Sequence, residues 1–278
     1  MTALTLTPQG GLGGVLAQNL RDGGTITWRN LMNVRRNPEL LLAATLQPIM
    51  FVLLFAYVFG GSIGSDPLTY RDFLMGGIFA QTVAFNSAYT TIGMANDLQK
   101  GIIDRFRSLP MSRSAVLIGR TLADLAVTAL GLLVMSLCGL IVGWRIRGSF
   151  ADAVVAYLVL LLFAFAMSWT GALIGMAAGS VEVAQSAGFI WMFPVAFIST
   201  VFVAADGLPG PLRVFAEWNP ISAVADSARS LFENFQIRPP TDAWPQQNPT
   251  LYALISCAVL VAIFMPLAVT KYRKVASK

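Results

Sequence analysis

Runs of about 20 apolar residues recur along this chain, the length at which a helix rising 1.5 Å per residue crosses a ~30 Å hydrocarbon core. They occupy residues 40–60, 73–95, 115–144, 153–179, 183–205 and 251–270. The expected fold class is an all-α polytopic membrane protein with six transmembrane helices, residues 38–272 forming one membrane domain. The third run is longer than the others and carries Arg120 and Asp124 in its first turns, so it starts in the cytoplasm or tilts strongly.

Composition points the same way. Of 278 residues, 56% are hydrophobic and only 12% charged, too few charges to clothe a soluble globule of this size. The net charge of +5 is read through its distribution, as a topology signal and not as a sign of nucleic-acid binding. Histidine is absent, and both cysteines, Cys138 and Cys257, lie inside apolar runs as small hydrophobes, which excludes zinc, haem and Cys/His chemistry. Residues 1–24 lack a basic start and a continuous apolar stretch, so a mobile cytoplasmic tail is expected there in place of a cleavable signal.

Basic residues set the orientation. With the N-terminus inside, Arg21, Arg29, Arg35, Arg36, Lys100, Arg105, Arg107, Arg113, Arg120, Lys271, Arg273, Lys274 and Lys278 all face the cytoplasm, leaving the minority of the 19 outside. Both termini are therefore expected in the cytoplasm, with 273–278 as a short tail. The expected location is a cytoplasmic membrane.

Two cytoplasmic segments carry helical periodicity. Over 25–37, Trp28, Leu31 and Met32 share one face and Arg29, Asn33 and Arg36 the other, which predicts an interfacial helix ending at Asn37-Pro38-Glu39. Over 97–110, Leu98, Ile102, Phe106 and Leu109 form an apolar stripe opposite Lys100, Asp104 and Arg107, and Pro110 stops the helix. Taken alone, this second segment is equally consistent with an ordinary positive-inside loop.

Enzymatic chemistry finds no support. Asn96, Lys100 and Asp104 sit four apart at a helix end, but Lys100 occupies the place where a second magnesium-binding carboxylate would be needed. Glu182 stands alone between the fourth and fifth runs, and no Ser/His set or phosphate-cradling loop exists. A G-x-x-x-x-G-K-[ST] motif is missing, so this chain cannot hydrolyse ATP through a P-loop.

The segment before the last run is the most distinctive. It reads Leu208-Pro209-Gly210-Pro211, then Trp218-Asn219-Pro220, then Asp226 and Arg229, after a fifth run containing Pro194. That order, with RFRSLPMSR over 105–113, closely resembles the permease subunits of type-2 ABC exporters, and among them the daunorubicin-resistance DrrB-type permeases. The resemblance runs from about Trp28 to near the end of the chain.

It implies a coupling helix over 97–110 that docks on a separate ATPase subunit. Asp97, Lys100, Ile102, Asp104, Arg105, Phe106, Arg107, Leu109 and Pro110 would make the contact, and Glu182 a second, smaller one. It also implies an external re-entrant hairpin over 206–236, with Pro209, Asn219, Pro220 and Arg229 at an outer gate. On the residues themselves, 220–235 read as an amphipathic helix capped by Asn219 that can dip back into the outer leaflet, the lesser alternative being a helix merely resting on the bundle.

For a substrate path, polar and aromatic span residues are the candidates: Gln47, Phe51, Phe55, Thr82, Asn86, Tyr89, Phe189 and Phe197. Such groups more often bond helix to helix. Gly171, Gly175 and Gly179 form a small-residue series for close helix approach. The expected function is ATP-driven export of an amphipathic drug-like or lipidic compound. No cofactor is expected on this chain, with ATP and magnesium on two ATPase copies, and a second permease, same or homologous, completes the assembly in membrane lipid. The alternatives are a secondary transporter without an ATPase, or a membrane-embedded lipid-modifying enzyme.

Overall fold

The computed structural model describes residues 27, 32, 38–54, 57, 67–101, 113–234 and 241–275. The expected interfacial segment, apart from Thr27 and Met32, lies outside these, as do Phe55 and the coupling-segment residues Ile102, Asp104, Arg105, Phe106, Arg107, Leu109 and Pro110.

The described residues are helical, with no strand among them. In chain order they form α1 (Pro38–Leu53), α2 (Pro67–Gln99), α3 (Arg113–Val142), α4 (Phe150–Ala177), α5 (Val181–Ile190) and α6 (Met192–Phe197). A 3-10 turn (Ala205–Gly207) leads into α7 (Gly210–Glu217), α8 (Pro220–Leu231), α9 (Trp244–Gln247) and α10 (Pro249–Val275). Among the described residues three helices, Leu117–Val142 within α3, Phe150–Ala177 and Pro249–Val275, are long and apolar enough to cross a membrane.

Helix α2 is longer still, at 33 residues, yet more polar. Its position explains the difference. It packs chiefly against α4, and also against α8, α5 and α3. Being surrounded by protein, it can bury Gln81, Ser87, Thr90 and Thr91 beside Phe73, Leu74, Ile78 and Phe79. Polar groups inside a membrane bundle bond across or along helices in place of water. Ser87 Oγ donates to the Ala84 carbonyl at 2.7 Å, and Thr91 Oγ1 to both Ser87 (3.0 Å) and Gly171 (3.0 Å).

That last bond marks the closest helix approach. A Cβ on Gly171 or Gly175 would fall on the α2 carbonyl oxygens of Ser87 and Thr91, so α2 and α4 meet backbone to backbone only because both positions are glycine. Gly179, third of the small-residue series, meets nothing within 4 Å. Helix α4 starts cleanly, its Ser149 Oγ accepting from the Asp152 amide at 3.1 Å.

The fifth apolar run differs from the continuous 183–205 helix expected. It breaks at Trp191, between α5 and α6, and ends at Phe197. Pro194 supplies the reason, since a proline has no amide to give the carbonyl four residues back and its ring crowds that carbonyl. The residue four before Pro194 is Ile190, where α5 ends.

Two apolar clusters mark the ends of the bundle. The smaller joins Met94 near the end of α2, Leu117 near the start of α3, Met176, Ala268 and Tyr272, so the C-terminal part of α10 lies beside the end of α2 and the start of α3. The larger fills the opposite end around Phe79, Trp144, Phe163 and Phe232. Phe79, Trp144, Tyr157 and Phe232 interlock there with ring centroids 5.3–6.2 Å apart.

Candidate functional site

Three arrangements carry the polar and aromatic residues that the sequence singled out. The first lies where α2 and α3 flank residues 102–112. Arg120, two turns into α3, donates through Nη1 to Asp97 Oδ2 at 2.9 Å and pairs through Nε with Asp124 Oδ1 at 3.3 Å. Thr90 Oγ1 donates to Asp124 Oδ2 at 2.8 Å, and Asn86 Nδ2 to Thr128 Oγ1 at 3.1 Å. Rungs at Asp97, Thr90 and Asn86 thus brace the C-terminal half of α2 against the N-terminal half of α3. A Cβ on Gly93 would overlap the Arg120 guanidinium, so that glycine clears the space the arginine crosses.

The second arrangement seats α8. Asn219 accepts from the Ile221 amide at 2.9 Å, as a helix cap does, while its Nδ2 donates to the carbonyls of Val195 (2.6 Å) and Ile198 (2.9 Å) at the end of α6. Pro220 follows at the first helical position. One turn on, Ser222 Oγ accepts from the Thr200 amide at 2.9 Å. Arg229 is 0% exposed and spends its donors on Asp226 Oδ1 (2.6 Å), the Phe73 carbonyl (2.7 Å) and the Val201 carbonyl (2.8 Å). Asp226 Oδ2 accepts in turn from Thr200 Oγ1 (3.0 Å) and Gln246 (2.8 Å). A buried charge is tolerable only when paired and hydrogen-bonded to this extent.

Helix α8 is therefore buried on its polar as well as its apolar side, with Ser222, Asp226, Ser227 and Arg229 inside alongside Ile221, Val224, Ala225 and Ala228. Its polar residues meet protein partners and not water. Helix α7, by contrast, exposes Leu212, Val214, Phe215 and Trp218. Arg213 and Glu217 pair along it at 2.9 Å, and that hydrogen bond raises the Arg213 pKa above its ordinary value.

The third arrangement is a ladder of rings on the outside of the bundle. Phe85 and Phe189 stand 6.2 Å apart, Phe85 and Phe193 5.3 Å, Phe189 and Phe193 6.3 Å, Phe193 and Phe197 5.9 Å, Phe197 and Phe202 5.7 Å. Tyr89 meets Phe189 edge-on at 6.4 Å and donates its hydroxyl to Gln47 Oε1 of α1 at 2.8 Å. Phe193 and Phe197 are about half exposed.

Residues 23–232 match the ABC-2 type transporter family. The chain belongs to that family. It is 33% identical over 251 residues to the daunorubicin resistance ABC transporter permease protein DrrB1 of Streptomyces coeruleorubidus, covering 90% of this chain and 85% of that one. More distant likeness reaches the putative transport permease ycf38 of Cyanophora paradoxa and of Porphyra purpurea, at 21% and 22% identity, each over 74% of this chain and 72% of theirs.

Within this ABC-2 permease the candidate path residues separate. Gln47, Tyr89, Phe189 and Phe197 come together in the ring ladder. The α2 candidates Asn86 and Tyr89 point to different neighbours. Asn86 and Thr90 turn to α3, Tyr89 turns to α1 and α5, and Thr82 is half-buried. Phe51 packs against the main core. Lys100 and Glu182 are both exposed, the second in the first turn of α5.

Pro209 ends the link into α7, while Asn219, Pro220 and Arg229 lie in the α8 seat. Thr200, Gln246, Phe85 and Phe193 were not singled out by sequence reasoning, and Asp226 was noted there for the family pattern but not as a site residue. The i,i+3 spacing of Asp226 and Arg229 was a signal available for Asp226.

Proposed function

We propose that this ABC-2 permease is the membrane subunit of an ATP-binding cassette exporter that moves an amphipathic, drug-like compound out across the bacterial cytoplasmic membrane. Six spans serve it: α1, α2, α3, α4, the α5–α6 pair and α10, with both termini cytoplasmic. ATP and magnesium belong to a separate ATPase subunit, present in two copies, and a second permease, identical or homologous, completes the channel.

The observation that carries this reading is the α2–α3 brace, Asp97–Arg120–Asp124–Thr90, between the two helices that residues 102–112 connect in the chain. A force applied to that connection reaches both helices through a charge-paired cross-link, and α2 in turn contacts α4, α5 and α8. Ile102, Phe106 and Leu109 dock on the ATPase, flanked by Lys100, Asp104, Arg105 and Arg107 ahead of Pro110, and Glu182 makes a smaller contact. At the other end α7, with its apolar face outward, lies in the outer leaflet interface while α8 closes the path, as a re-entrant hairpin hinged at Asn219-Pro220.

The cargo is amphipathic because the ring ladder offers aromatic faces with one amide–phenol pair, Gln47 and Tyr89, and no charged group among these residues. A daunorubicin-type drug, as in the name of the relative, has this character. The assay is co-expression with a neighbouring P-loop ATPase, then ATPase stimulation and export of a panel of amphiphiles from inverted vesicles. Phe106→Ala, or reversal of Arg105 and Arg107 to Glu, abolishes stimulation if the docking assignment holds. Full coupling in both variants overturns it.

A further inference from the structure

The end of the bundle away from residues 102–112 gathers three arginines. Arg71 Nη1 donates to the Val142 carbonyl at 3.0 Å, and Arg145 Nη1 donates to the carbonyls of Leu140 (2.6 Å) and Trp144 (2.8 Å). Both guanidiniums thus converge on the last turn of α3. Arg147 pairs with Asp72, the residue next to Arg71. Asp72 is a carboxylate in direct contact with the group. Asp152 accepts from its own cap, Ser149, and Glu233 stands beside Gly148.

The arginines on α3 carbonyls have donors to spare. Arg145 is exposed, and its Nε and Nη2 bond to no described residue. Arg71 is stacked over the exposed ring of Tyr57, 5.1 Å from its centroid. From this point an apolar strip runs back along the outer face of α3: Ile141, 85% exposed, then Leu140, Leu137 and Leu133 at three- and four-residue spacing. A helix face of that kind in a membrane bundle meets acyl chains.

From this juxtaposition we infer a binding site for an anionic phospholipid, its headgroup phosphate on Arg145 and Arg71 and an acyl chain along Leu133, Leu137 and Ile141. Guanidinium pairs with phosphate through parallel, charge-assisted hydrogen bonds. The site needs only that the bundle sits in a bilayer and is independent of how the ATPase docks.

The test is native mass spectrometry of the full chain in mild detergent, titrated with phosphatidylglycerol or phosphatidylcholine. Phosphatidylglycerol is retained in preference, Arg145→Gln cuts its retention about fivefold, the effect of removing one basic residue near a membrane surface, and Arg213→Gln leaves it unchanged. Arg71 also holds the end of α3, so Arg145→Gln is the deciding variant, checked for folding by size exclusion. Equal retention of both lipids, no loss in Arg145→Gln, or an equal loss in Arg213→Gln overturns the proposal. Displacement of the lipid by glycerol phosphate at matched concentration also overturns it, because the site would then bind a free anion without the apolar strip.

Discussion

The guanidinium of Arg229 lies 3.7 Å from the centroid of the Phe73 ring and donates through Nε to the carbonyl of the same residue at 2.7 Å. One side chain on α8 thus grips both the face and the backbone of one residue on α2. Cation–π contacts are strongest where water is excluded, as here. The Asp226 carboxylate and the Val201 carbonyl complete its partners and tie α8 to the stretch after α6.

Removing that charge alone strands Asp226. Arg229→Leu is expected to destabilise the bundle by about 3–5 kcal/mol, the cost of leaving a buried ion unpaired, while the Arg229→Leu/Asp226→Leu pair recovers part of the loss. Arg229→Lys fails as well, because one ammonium on a flexible stem cannot serve the Phe73, Val201 and Asp226 acceptors of a planar fork. Thermal unfolding in detergent, followed by fluorescence or size exclusion, ranks the three.

Glycine substitutions separate rigid from yielding neighbours. A Cβ at Gly77 meets the Val201 backbone carbonyl and Arg229 Nη2, so Gly77→Ala is expected to cost about 1–3 kcal/mol as overpacking against backbone. At Gly93 the obstacle is the end of the Arg120 side chain, which can swing away. Gly93→Ala therefore keeps most of its stability and loses the Arg120–Asp97 bridge. Gly179→Ala, with nothing within 4 Å, changes neither. The same unfolding assay, with Arg120 reactivity to a guanidinium reagent as a second readout, checks all three.

Arg120 and Asp97 are about one-fifth exposed, so their bond is only partly screened. A double-mutant cycle with Arg120→Gln and Asp97→Asn is expected to give an interaction energy of about 0.5–3 kcal/mol in unfolding. In the reconstituted transporter both single variants lower ATPase stimulation, and the double variant lowers it no further. Additive losses would show that the two residues act separately.

The ring ladder makes a prediction about cargo. Phe193→Ala removes the ring that touches Phe85, Phe189 and Phe197 together. Loss of one aromatic contact of about 0.5–1.5 kcal/mol corresponds to a several-fold drop in affinity for a planar aromatic substrate. Vesicle export of planar compounds is expected to fall more than export of alkyl-chain amphiphiles. Tyr89→Phe, which keeps the ring and loses the bond to Gln47, is expected to have the smaller effect.

Much of the architecture is legible in the sequence because membrane helices must satisfy their own backbone and fill a fixed thickness. The run 153–179 is α4 over Phe150–Ala177, and Asn219-Pro220 is the cap and first residue of α8. The fifth run is shorter than its apolar length suggests, although Pro194 is visible and its clash with the carbonyl four residues back explains the break at Trp191. The candidate path is legible in residue types and not in grouping. Asn86 and Tyr89 are three apart, close enough to share a stripe, yet one bonds α3 and the other α1.

The sequence by itself determined that this chain is helical and membrane-embedded, the course of α4 and α10 to within a few residues, where α8 begins, and which family it belongs to, because apolar length, capping chemistry and proline placement are local. Tertiary structure alone decided what the polar residues are for. Arg229, Asp226 and Thr200 become one network, and Arg120 one brace, only when separate helices bring them within hydrogen-bond reach. In a bundle without water to compete, the partner that packing supplies settles whether a buried charge is a cost or a clasp.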